Sequence, residues 1–197
     1  MIKLLAFVAL SLLSGYLSRS SLFPPGARFR SPRAFFRLPR THGFWRFFAW
    51  EFIAALFVLD VDLWFASPFS WYQLLSWLLL GASLAPLVAG VRALRAGGRP
   101  GARAASEPSL FAFERTATLV TTGIYGWIRH PLYASLLLLD WGVFWKAPSL
   151  PCAGLAIGAT LALYATARAD ETECIRFFGP AYLVYMGKTK MFIPRIF

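Results

Sequence analysis

The sequence predicts an all-α, multi-pass membrane protein of about five transmembrane helices, followed by a helical C-terminal segment on the cytoplasmic side. Three observations predict it. Hydrophobic residues make up 58% of the 197 and charged residues only 15%, well beyond the balance of a water-soluble domain. The apolar residues gather into runs separated by Pro-, Gly- and Arg-rich stretches. No sustained period-two alternation occurs, and an open sheet edge cannot sit in lipid.

The runs lie at 2–17, 47–66, 71–91, 131–145 and 149–167. Crossing ~30 Å of hydrocarbon takes about 17–25 helical residues, so the first and fourth must borrow flanking residues. Lys3 and the apolar stretch after it have the outline of a signal peptide, but no small-x-small pattern follows, and the run is read as a first span. Between the first two runs, Pro24, Pro25, Pro32 and Pro39 break any long helix. There Phe29, Phe35, Phe36, Phe44 and Trp45 interleave with Arg, which reads as an interfacial segment with rings at headgroup depth. A substrate-entry lip is the alternative, and the residues alone do not separate the two. The Gly/Ala/Arg stretch 92–108 reads as a flexible connection. It holds neither a GxGxxG nor a Walker pattern, so no phosphate cradle is inferred.

The net charge is +11, and its distribution is informative. Seven Arg fall within 19–46, six within 92–129, and five Lys/Arg from Arg168 onward, with only Lys3 and Lys146 elsewhere. With five spans and an outside N-terminus, all three blocks are cytoplasmic, the positive-inside pattern. The basic charge is then topological, suited to anionic lipid headgroups and not gathered into a groove for nucleic acid. Asp60, Asp62 and Asp140 fall near outer helix ends, where water is expected within reach, and Glu51 is expected to pair with Arg46 at the inner interface. Cys152 and Cys174 fall near opposite faces, so no mutual disulfide is expected. Two distant His and no Cys/His cluster give no metal site; His42 is read as interfacial, without a role. No transporter-like internal repeat and no obligate protein partner are evident.

The chemistry-bearing residues form two blocks. One is Gly123-Ile124-Tyr125-Gly126-Trp127-Ile128-Arg129-His130-Pro131-Leu132-Tyr133, which opens into the fourth run; the other is Asp170-Glu171, just after the fifth. Two consecutive spans cross and return, so Arg129 and Glu171 are expected on the same membrane face. Pro131 suits the first position of a helix. His130 then sits near the N-cap, and the first-turn N–H groups form an anion site beside the flat fork of Arg129. Gly123 and Gly126 permit close approach by a ligand, and Tyr125, Trp127 and Tyr133 offer flat faces. On the returning helix Glu171 shares a face with Arg168 and Ile175, while Asp170 and Cys174 lie on a neighbouring one. Such a pocket suits a zwitterionic ligand with an aromatic base, and S-adenosylmethionine has those parts.

Taken together, Gly123-x-Tyr125, Arg129-His130-Pro131-x-Tyr133, Asp170-Glu171, Phe178-Gly179-x-x-Tyr182-x-x-Tyr185 and Phe192-Ile193-Pro194 resemble the isoprenylcysteine carboxyl methyltransferase family. These integral-membrane enzymes are similar in turn to phospholipid N-methyltransferases. The resemblance covers about 121–194. It implies a S-adenosylmethionine pocket closed by the C-terminal segment, with a lipid-facing opening for a hydrophobic acceptor. It divides the chain into membrane helices and basic loops at 1–120 and a methyltransferase core at 121–197. Family roles carry over to Arg129, His130, Tyr133 and Glu171. The site expectation is therefore Arg129 and Glu171 as catalytic residues, with Gly123, Tyr125, His130, Pro131, Tyr133 and Glu171 holding the cofactor. Two positions depart from the pattern: Ser135 replaces a frequent Gly and is expected to narrow the pocket wall, and Asp170 replaces a usual Glu. The expected acceptor is a carboxylate of an isoprenylcysteine-like lipid. N-methylation of a phosphatidylethanolamine-type headgroup is the alternative, and a lipid-binding protein without catalysis the third reading.

Overall fold

The computed structural model describes residues 2–22, 41–98 and 116–197, with side chains from 17–22 left aside. Most of the Arg/Phe segment 19–46, the loop from 99 onward, and Glu114 and Arg115 lie outside the described residues. Six α-helices occur among those described: α1 Ile2–Leu22, α2 His42–Asp60, α3 Trp71–Gly97, α4 Pro131–Phe144, α5 Leu150–Phe178 and α6 Pro180–Lys188. The expectation of an all-helical chain is met, with a single isolated bridge between Ile128 and Lys190 as the extended pairing among the described residues.

Helix boundaries follow local chemistry. Thr41 caps α2, its side chain accepting from the Phe44 N–H, and Ser149 caps α5 by accepting from the Cys152 N–H. Pro131, Pro151 and Pro180 each fall in a first turn, where a missing N–H costs nothing. Helix α5 ends at Gly179, with φ +61. It runs well past its apolar stretch, so Asp170 and Glu171 belong to the same rigid rod as 150–167. That rod carries the acidic pair to a fixed place.

Helix α2 packs against both α1 and α5, α3 against α4, and α4 against α5. Small residues make these approaches close. Ala49, Ala134, Ala162 and Ala167 meet in one buried cluster with Leu163, Tyr133, Met191 and Phe192, as in helix packing without a strong hydrophobic drive. A Cβ on Gly142 would stand 2.9 Å from Leu80, so α3 and α4 cross where only glycine fits. Two helices, α3 and α5, are long and apolar enough to cross a bilayer by length and composition, and the apolar stretches of α1 and α4 are shorter.

The end of the bundle away from Arg129 is knitted by polar groups. The buried Lys146 ammonium donates to Gln73 Oε1 at 3.0 Å and lies 3.1 Å from the Trp77 ring centre. Gln73 Nε2 donates in turn to the carbonyl oxygens of Lys146 and Leu63. Asp62 pairs with Lys3 at 2.7 Å on the surface, as an outer-end carboxylate should. Asp140 differs from expectation: it is fully buried and accepts from Thr160 Oγ1 at 3.4 Å, because its helix face turns toward α5. Glu51 also differs. Its Oε2 accepts from Ser11 of α1 at 2.5 Å, so it joins two helices and does not pair with Arg46. Cys152 and Cys174 are both free thiols.

Candidate active site

The site is built where four chain segments converge. The first is the 3-10 turn Gly123–Gly126, entered through Gly123 at φ +62, a region L-residues avoid. A Cβ there would meet only Ala93 at 3.5 Å, so it is the backbone conformation of the turn that requires glycine. The second is 127–130, which runs straight into α4 with His130 at the N-cap; the His130 side chain makes no capping bond. The third is the polar end of α5. The fourth is the segment after α6.

The C-terminal segment is zipped onto the Arg-His-Pro stretch by its backbone. Arg129 N–H donates to Lys190 O at 2.8 Å, His130 N–H to Met191 O at 3.1 Å, and Lys190 N–H to Trp127 O at 3.1 Å. Tyr185 Oη donates to Tyr125 O at 2.8 Å. Met191 and Phe192 bury themselves against Tyr133 and Ala134. These bonds fix 190–192 alongside 127–130.

Arg129 is the knot of this arrangement. Its Nε donates to Glu171 Oε1 at 2.7 Å, and its Nη1 to Met186 O at 3.2 Å and to Thr189 O. Those carbonyls mark the C-terminal end of α6, where a cation is favoured. Glu171 is buried, accepts also from Arg168 Nη1 at 3.2 Å, and has His130 Nε2 at 3.5 Å. Burial alone would raise its carboxyl, but His130 and Arg129 beside it outweigh that and hold it below its ordinary value. At 3.5 Å the imidazole is an electrostatic neighbour and not a bonded one: His130 Nε2 is buried without a hydrogen-bond partner.

A cleft enclosing about 650 Å³, including its open mouth, lies over these groups. Tyr125, Arg129, His130, Pro131, Tyr133 and Asp170 line it, with Leu94 and Val120 packed beside Tyr125 and Leu119 and Phe178 beside Tyr182 and Tyr185. The His130 and Tyr133 rings stack at 5.4 Å. Burial raises the Tyr182 and Tyr185 hydroxyls, which therefore stay neutral donors. Of the expected site residues, Tyr125, Arg129, His130, Pro131 and Tyr133 come together in the cleft, Glu171 lies behind it, and Gly123 stands outside it. Asp170 reaches the cleft where Glu171 does not, its Oδ2 3.6 Å from His130 Nδ1. Ser135 is buried but is absent from the cleft wall. Tyr182 and Tyr185 stood in the sequence pattern without a role. Leu94 and Leu119 had no sequence signal, since their place depends on how α3 and the segment after it fold back.

Next to Tyr133 on α4 a second, apolar hollow begins. Ala134, Leu137, Leu138 and Trp141 form it with Leu161 and Tyr164 of α5 and Phe192, Ile193, Pro194 and Phe197 of the C-terminal segment, enclosing about 1440 Å³ including open space.

Comparison with known proteins agrees with the motif resemblance. The chain is 34% identical over 83 residues to protein-S-isoprenylcysteine O-methyltransferase of Homo sapiens, which covers 41% of this chain and 29% of that protein. It is 38% identical over 86 residues to the enzyme of the same name from Xenopus laevis, covering 40% and 28%; the Mus musculus enzyme matches as the human one does. The chain spans less than a third of the length of these curated relatives. No family model matches the chain, and no solved structure does.

Proposed function

We propose that this protein is an integral-membrane methyltransferase that uses S-adenosylmethionine and acts on a lipophilic acceptor, a carboxylate of an isoprenylcysteine-like substrate. The observation that carries it is the pairing of a polar, aromatic cleft with an apolar hollow along one helix, α4, at adjacent residues Tyr133 and Ala134. A polar cofactor and a lipid tail each find a matching wall, and their reacting ends meet at the start of α4. The relatives named above are methyltransferases for such an acceptor.

In this reading all five helices α1–α5 cross the membrane, with the N-terminus outside and the cleft, the basic loops and the C-terminus cytoplasmic. The apolar faces support it: Leu4, Leu12, Leu78, Leu84 and Leu161 are all exposed, far more than a soluble surface carries. Most of the apolar surface of α3 is likewise unburied, unlike the mostly buried core helix of a soluble domain. Residues 121–197 form the methyltransferase core, while 1–120 supply the remaining helices and part of the cleft wall.

The donor set fits the cofactor. The first-turn N–H groups of α4 suit its carboxylate, Asp170 its ammonium or ribose hydroxyls, and Phe178, Leu94 and the tyrosines its base. His130, on the cleft wall, has a buried Nε2 without a hydrogen-bond partner, an unused polar contact. When bound, S-adenosylmethionine supplies an electrophilic methyl on a sulfonium that is its own leaving group. The chain itself must align and exclude. Arg129, bonded through Nε and Nη1 to Glu171, Met186 and Thr189, ties the C-terminal segment to α5; the buried rings of Tyr133, Phe192 and Tyr185 keep water out. Alignment of the acceptor at ~3–3.5 Å is the main requirement, and a carboxylate needs no base.

One observation favours a second reading. Asp170 lies in the cleft beside His130, and an amine acceptor would need such a proton acceptor. N-methylation of an aminophospholipid is therefore kept as the alternative. Calorimetric titration of detergent-purified protein with S-adenosylmethionine and S-adenosylhomocysteine tests the shared core: both should bind, and an Asp170→Ala variant should bind more weakly. Absence of binding by well-folded protein refutes the proposal. Turnover of a small S-prenylcysteine against phosphatidylethanolamine vesicles then decides the acceptor.

A further inference from the structure

His42 is fully buried at the start of α2 and grips α5 at two points. Its backbone N–H donates to Glu173 Oε1 at 3.0 Å, and its ring Nδ1 bonds Glu173 Oε2. One turn earlier on the same face of α5 stands Asp170, which faces His130 Nδ1 at 3.6 Å and accepts from Cys174 Sγ at 3.6 Å. His42, Asp170 and Glu173 bring one ligand-type atom each within 4.8 Å of one another. A cation site is the obvious reading, but Glu173 commits both oxygens to His42, so the trio is already a closed clamp.

We propose that His42 is a positioning residue for the cleft: by clamping Glu173 and facing Asp170, it sets the axial register of α5 and so the place of the Asp170 carboxylate against His130. The inference deepens the methyltransferase reading and rests on it for its affinity readout. Among the described residues the charged groups facing His42 are Arg46 of α2 and Asp170 and Glu173 of α5. Burial lowers the His42 imidazole, but the Glu173 bond and the Asp170 and Glu173 charges outweigh burial and Arg46, so it is held above its ordinary value. A protonated His42 offsets two carboxylates one turn apart. Once it is neutral, Asp170 is less well balanced, and His130 feels the change through the same carboxylate.

The chain has only two histidines, so ring 15N spectra of histidine-labelled protein in detergent are assigned by one substitution. Across a pH series, the His130 signals should show an inflection at the pH where His42 titrates. In His42→Asn, whose amide can still donate to Glu173, that inflection should vanish while the melting temperature holds. S-adenosylhomocysteine affinity should fall about tenfold in His42→Leu, which loses the charge-assisted bond to Glu173, and be retained in His42→Asn. If His42→Asn does not fold, Glu173→Gln serves instead: it should lower the His42 midpoint and carry the His130 inflection with it. His130 signals that ignore His42 in wild type, or that are unchanged by whichever variant folds, overturn the inference. Coupled signals in a protein that binds no S-adenosylhomocysteine would leave the inference standing and remove the methyltransferase reading.

Discussion

Replacing Arg129 by Lys keeps the charge and removes the fork, which makes it a sharp test of how the site is held. Arg129 serves acceptors in two directions, Glu171 Oε1 through Nε and the carbonyls of Met186 and Thr189 through Nη1. A single ammonium can serve the carboxylate or the carbonyls, not both from one position. Hydrogen bonds to charged groups are worth about 1.5–3 kcal/mol each, and Lys recovers part of what is lost. The net cost is about 2 kcal/mol. For a chain of this size that is about 4–8 °C in melting temperature, measured by thermal unfolding in detergent. Because the lost side-chain bonds reach Met186 O and Thr189 O, just before the backbone-paired 190–191, the loss should also loosen the segment beside the cleft. A 2 kcal/mol penalty is a factor of about 30 in affinity, and calorimetry with S-adenosylhomocysteine should show a weakening approaching that. Limited proteolysis should cut Arg129→Lys after Lys190 sooner than wild type. A variant that melts within about 1 °C of wild type and binds equally well would refute the view of Arg129 as the tie between α5 and the C-terminal segment.

Gly123→Ala should cost about 1 kcal/mol, because φ +62 is unfavourable for any residue with a Cβ although the space is open; an unchanged melting temperature would exclude strain at this turn. Acid should destabilise the protein through Glu171. Its folded value is depressed, so its stabilisation is present above the ordinary carboxylate range of about pH 4 and is lost as pH falls through the lower folded value. Glu171→Gln should flatten that limb in pH-dependent thermal unfolding, and a wild-type-like acid limb in the variant would assign the loss to other carboxylates.

Much of this was legible in the residues themselves. Composition and run lengths dictate helices, because apolar backbone away from water must bond within its own segment. Pro131 after His130 marks the start of α4 by its ring geometry, and the spacing of two apolar rods returns Asp170 and Glu171 to Arg129. These are short-range or periodic constraints, and a linear string carries them. The division of labour between Asp170 and Glu171 is different in kind. They are adjacent in sequence, and helical geometry separates them by about 100°; which one meets the cleft depends on how α5 is rotated against α2 and α4. The packing of α4 on α5 likewise buries Asp140 against Thr160, and that of α1 on α2 turns Glu51 to Ser11. His42 lies 131 residues from Glu173, and no local pattern links them. Arg129 lines the cleft, and its Nε and Nη1 are engaged by acceptors from α5 and from the end of α6. Side-chain partnership across distant segments is decided by the packing of whole helices, and only the tertiary structure contains that choice.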